Sequence, residues 1–99
     1  METNNLKIKG FIWFDDIIEK IKRKHNVQRQ EVREVLDNDP HFRLVEKGHR
    51  SGENVYAAMG QTTSGRYLIV FFVYKTDKRA LIISAREMTK AERRLYEKT

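Results

Sequence analysis

Apolar residues recur at three- and four-residue intervals from Phe14 through Ile17, Ile18 and Ile21 to His25. Glu19, Lys20, Lys22, Arg23 and Lys24 fill the gaps, so the period predicts an amphipathic helix over about 15–25 with its charges towards solvent. Asn26 tolerates the left-handed conformation that commonly closes a helix. Val32, Val35 and Leu36 share one side of a second helix over about 28–38, with Glu31 at its third position and Gln28 a poor cap. Asp39-Pro40 ends it, because proline disfavours a helical residue before it and lacks the next backbone donor.

Beyond Pro40 the spacing shifts towards two. Phe42 and Leu44 alternate with Arg43 in a short edge strand, followed by the polar loop Lys47-Gly48-His49-Arg50-Ser51-Gly52. Val55, Ala57 and Met59 alternate with Tyr56 and Ala58 in a second strand over 54–60, and Gln61-Thr62-Thr63-Ser64-Gly65 supplies turn chemistry. The run 67–74 is β-branched and aromatic on both faces, which fits a central strand covered on both sides. A turn at Lys75-Thr76-Asp77-Lys78 leads into a fourth strand over 79–86, with Leu81, Ile83 and Ala85 on one face and Ala80, Ile82, Ser84 and Arg86 on the other. Thr89-Lys90-Ala91-Glu92 is a capping box that starts a C-terminal helix, whose expected buried stripe is Met88, Ala91 and Leu95. The pattern therefore predicts an α+β fold in one domain over 6–99: two N-terminal helices, an antiparallel four-stranded sheet and a C-terminal helix. Residues 1–5 are expected to form a disordered tail.

Composition narrows the chemistry. Hydrophobic residues make up 39% of the 99 and charged residues 34%, enough for a core beneath a highly charged surface. Lys and Arg total 20 against 14 Asp and Glu, a net charge of +6 that suits a polyanionic or acidic partner, or simply a solvated lysine-rich surface. The absence of cysteine excludes disulfides and thiolate chemistry and agrees with a cytoplasmic location. Neither a secretory signal pattern nor a membrane-length apolar run is present, so no membrane partner is expected. His25, His41 and His49 lack metal-pair spacing, and no nucleotide-binding or hydrolase elbow motif occurs. No metal or cofactor is expected. Arginine, lysine, tyrosine and histidine near element ends remain, and these suit metal-independent RNA cleavage, in which the 2′-hydroxyl attacks the adjacent phosphate, or passive RNA binding.

Lys24-His25-Asn26-Val27, Asp39-Pro40, Gly52-Glu53, Gly60, Ser64-Gly65-Arg66, Ile83-Ser84-Ala85-Arg86 and Glu92-Arg93-x-x-Tyr96 follow one another in an order that resembles the BrnT family. The resemblance spans about 11–98. It implies a RelE-like fold and the toxin of a type II toxin–antitoxin pair, an endoribonuclease that inhibits translation. It also implies a ribbon-helix-helix antitoxin, BrnA-like, through which alone the toxin meets DNA.

Carried over by position, the resemblance implies site residues Arg66, Arg86, Arg93, Tyr96 and His25. Arg66 and Arg86 are assigned to phosphate binding, against surface ion pairing. Glu92 reads better as the capping partner than as a base. Tyr96 either touches a phosphate oxygen or packs on the sheet, and His25 serves as general base or satisfies a helix end. Phe14, Ile17 and Ile21 stand where the family usually has Asp, Lys and Asn. Val55 replaces an arginine and Asn26 a glycine. Those departures keep a non-catalytic RNA- or antitoxin-binding module in contention; a lone DNA-binding regulator is weaker for want of a helix-turn-helix pattern.

Overall fold

The computed structural model describes residues 6–98, so the expected tail over 1–5 lies outside the described residues. In chain order the elements are β1 (Gly10–Ile12), α1 (Asp15–His25), α2 (Arg29–Asp37), β2 (His41–Glu46), β3 (Asn54–Gln61), β4 (Tyr67–Tyr74), β5 (Arg79–Glu87) and α3 (Lys90–Lys98). The sheet runs β1-β5-β4-β3-β2, with the apolar run of β4 at its centre and β2 at one edge, as the periodicity anticipates.

The expected four-stranded antiparallel sheet is instead five-stranded and mixed. β1 pairs parallel with β5, Phe11 opposite Ala80, and precedes the two helices. Three residues carry too little alternation to announce a strand. What holds β1 is tertiary: the Lys9 amide donates to the Lys78 carbonyl at 2.8 Å, and the Tyr74 hydroxyl to the Lys7 carbonyl at 2.8 Å.

Because side chains alternate along a strand, the sheet has two lined faces. Ala58, Leu68, Val70, Phe72, Ala80, Ile82 and Ala85 pack with Ile21, Val27, Val32, Val35 and Leu36 beneath α1 and α2. Gly60 lets α2 come close, since a Cβ there would lie 3.2 Å from Cγ1 of Val35. The opposite face gathers Ala57, Met59 and Ile69 beneath Met88 and Tyr96.

Three placements are corrected. Phe71 pairs with Ser84 but Phe72 with Ile82, so a bulge interrupts β5. The extra residue lets Ala80, Ile82 and Ala85 all enter the α1–α2 core and turns Arg86 to the other face, opposite Ile69. On α3, Ala91 and Leu95 are exposed, Leu95 by 42%. The docking row is Met88, Glu92 and Tyr96, four residues apart. Phe14, expected on the buried stripe of α1, is its exposed N-cap.

The docking row makes a stability prediction. Leu95→Ala should change unfolding free energy by less than about 0.5 kcal/mol, whereas Tyr96→Ala should cost about 1–2 kcal/mol through lost ring packing. Urea denaturation followed by circular dichroism distinguishes them; equal losses would contradict this docking of α3.

Candidate functional site

One end of the fold gathers the carboxyl end of α1, the start of β4 and the end of β5. Asn26 adopts φ 54°, and its amide donates to the Lys22 carbonyl, closing α1. Lys22, Arg23, Lys24 and His25 occupy the last turn, where positive charge is favoured by the helix dipole. Helix electrostatics and chain reversal thus bring three cation-capable side chains, Arg23, Lys24 and half-buried His25, to the sheet's end.

Arg66 is set by its own turn. Thr62, 4% exposed, accepts the Arg66 amide on its hydroxyl at 3.0 Å. The guanidinium donates through Nη1 to the Asn26 carbonyl at 2.9 Å and to both oxygens of Glu31 at 2.9 and 2.8 Å, and through Nη2 to Glu87 at 3.0 Å. The Glu31 hydrogen bonds, offset in part by desolvation, hold Arg66 even more firmly protonated than usual.

Arg86 forms a two-pronged pair with Glu92, Nη1 to Oε1 at 2.8 Å and Nη2 to Oε2 at 2.9 Å, and its guanidinium lies 5.6 Å from the centre of the Phe71 ring. Glu92 simultaneously accepts the Thr89 amide at 2.8 Å, while its own amide donates to the Thr89 hydroxyl at 3.1 Å. The expected capping box is therefore present, with Arg86 added to it. The Arg86 hydrogen bonds above all, then the Thr89 amide, outweigh desolvation and lower the Glu92 pKa from 4.5 to about 2. A carboxylate so acidic is ionised at neutral pH and cannot shuttle a proton there.

Arg66, Arg86 and His25 line one open cleft of about 480 Å³ together with Arg23, Lys24, Asn26 and Glu87. Arg93 and Tyr96 are not among its lining residues. They belong to an aromatic cluster beside β4: the Arg93 guanidinium sits 3.8 Å over the Tyr67 ring, and Tyr96 lies 4.7 Å from His41 and 5.9 Å from Tyr67, centre to centre. Burial raises the Tyr96 pKa, with the Tyr67 hydroxyl and Asp39 adding to the effect, so its phenol stays protonated. Pattern reasoning placed Arg23 and Lys24 on a solvated face and gave His41 no role. Their only signals were that Lys24 opens the Lys-His-Asn string, Arg23 precedes it and His41 starts β2. Among the described residues no group of three or more His, Asp or Glu converges to hold a metal ion, and no helix is long and apolar enough to cross a membrane.

The family described as the ribonuclease toxin, BrnT, of type II toxin–antitoxin systems matches residues 13–92. The chain belongs to this family. A type II ribonuclease toxin acts on RNA and is held by an antitoxin, which supplies the coarse function and the partners of this BrnT-family chain. The matched span contains His25, Arg66, Arg86 and Glu92 and stops short of Arg93 and Tyr96. No curated protein matches the chain. Of the residues the resemblance set apart, Ile21 is fully buried, Ile17 half-buried and Phe14 56% exposed, and Val55 pairs with Val73 inside the sheet. Ile21 belongs to the core beneath α1 and α2.

Glu92 provides a pH test. Its folded pKa lies below 4.5, so its stabilisation is complete above about pH 4.5 and disappears as pH falls towards 2. Glu92→Gln should lower stability at pH 7 by about 1–2 kcal/mol, allowing for solvent screening at a quarter-exposed side chain. Denaturant titrations should show the gap closing near pH 2; a gap constant from pH 7 to 2 would contradict the ion pair.

Proposed function

We propose that this BrnT-family chain is an endoribonuclease that cleaves RNA without a metal ion, using the cleft at the α1, β4 and β5 ends. The supporting observation is the convergence of His25, Arg66 and Arg86 on one opening flanked by Arg23 and Lys24. A neutral His25 imidazole accepts the proton of the ribose 2′-hydroxyl as that oxygen attacks the adjacent phosphorus. The guanidinium groups offset the charge gathering on the phosphoryl oxygens. The P–O5′ bond breaks, leaving a 2′,3′-cyclic phosphate, and in an open cleft water protonates the departing oxygen. Arg93 and Tyr96 take a supporting part, holding α3 and the substrate's flank.

We propose that the family's antitoxin is here a ribbon-helix-helix protein, with DNA contact made only through it. The net charge of +6 suits an acidic partner segment.

One observation favours a non-catalytic binding module on the same fold. Arg66 and Arg86 already spend most of their donors on Glu31, Glu87 and Glu92, so a phosphate must share or displace those carboxylates. Cleavage of RNA in EDTA separates the two. Because Arg86→Ala alone strands a carboxylate, the informative comparison is Arg86→Ala/Glu92→Gln against Glu92→Gln. The double variant should lose at least about a hundredfold in cleavage rate if one transition-state contact is worth about 3 kcal/mol. Intact chain that never cleaves RNA, with or without ribosomes, would leave only the binding module. Glu87→Gln should strengthen RNA binding about two- to fivefold at low salt by removing one negative charge beside the cleft; filter binding at two salt concentrations reads this.

A further inference from the structure

A second cleft, of about 400 Å³, lies on the α2 side of β1, lined by Phe11, Trp13, Arg29, Gln30 and Arg33. Its chemistry differs from that of its neighbours. The clefts lined by Asp15 and Glu19, by Asp37 and Asp39, and by Glu87 all hold carboxylates, whereas this one holds none. Arg29 and Arg33 are exposed and one helical turn apart, and among the described residues neither makes an ion pair. The Arg33 guanidinium instead rests 5.2 Å from the centre of the Phe11 ring. Two half-buried aromatic rings and two guanidinium groups without a carboxylate partner are what a nucleotide of a single strand requires: a surface on which a base stacks, and forks that match phosphate.

We infer that this cleft binds a nucleotide of single-stranded RNA outside the cleavage site, the base against Trp13 and Phe11 and the flanking phosphates on Arg29 and Arg33. This rests on RNA being the protein's substrate. The first turn of α2 joins the two sites, because Arg29 begins it and Glu31, two residues on, grips Arg66 of the cleavage cleft. An RNA strand lying along that turn is held at both places.

Trp13 is the single tryptophan of the chain, so its fluorescence reports the site directly. The probe is 2′-O-methyl hexaadenylate, which has no free 2′-hydroxyl to attack and isolates binding from cleavage. Saturable quenching is expected, with Kd at least tenfold weaker in Arg29→Ala/Arg33→Ala and with full quenching amplitude at saturation in Arg86→Ala/Glu92→Gln. Circular dichroism checks each fold, and Arg29→Gln/Arg33→Gln gives the same comparison if the alanine pair unfolds. No quenching, quenching indifferent to both arginine pairs, or quenching by hexaglutamate in place of RNA would overturn the inference. Cleavage of unmodified RNA without quenching removes this site and leaves the nuclease proposal standing; quenching without cleavage keeps the site and removes that proposal.

Discussion

The Arg66 guanidinium donates at once to the carbonyl of Asn26, the residue that caps α1, to the first turn of α2 and to the end of β5. Three elements distant in sequence thereby share one cation, half-buried at the rim of the core. A guanidinium suits this place because it keeps its charge and presents fixed, planar donors, where an ammonium would offer a point charge. Removing it would leave a carbonyl and two carboxylates facing one another, with Glu31 only 19% exposed, a cost well above that of an ordinary surface pair. The position of His25 follows from the same knot, since Asn26, whose carbonyl Arg66 holds, is the next residue.

Elements whose information is local were legible in the sequence. The α1 stripe, the αL residue Asn26, the Asp39-Pro40 stop, the apolar β4 and the Thr89–Glu92 box each depend on neighbours within about one turn or one hairpin. What was not legible depends on distant partners. β1 exists only because β5 offers it an edge. The face that Arg86 occupies depends on a bulge fixed by how β4 and β5 pair. Apolar character alone favoured Leu95 for docking α3, yet the helix turns Tyr96 inward beside Met88, on the side where Glu92 reaches Arg86.

The same division explains how the candidate site could be read. Arg66, Arg86 and His25 were visible as residues only through the motifs that resemble the BrnT family. Their convergence was not, because it needs the sheet order and the α1 reversal together. The Glu-Arg-x-x-Tyr motif grouped Arg93 and Tyr96 with them, but α3 directs these two to Tyr67 and His41.

Charge is allocated unevenly around the two clefts. The arginines best placed for phosphate are also those most committed to carboxylates, and commitment has two opposite consequences in a binding site. It orients each fork before a ligand arrives, which lowers the entropy lost on binding; it also cancels field that would draw a phosphate in. The net effect depends on what remains uncommitted. Arg23 and Lys24 supply positive charge around the cleft without carboxylate partners among the described residues, while Arg29 and Arg33 do so one turn away along α2. Under the proposed reaction, attraction and positioning would fall to different side chains: the cations without carboxylate partners would draw an RNA strand in, and the paired arginines would hold their geometry for its phosphate.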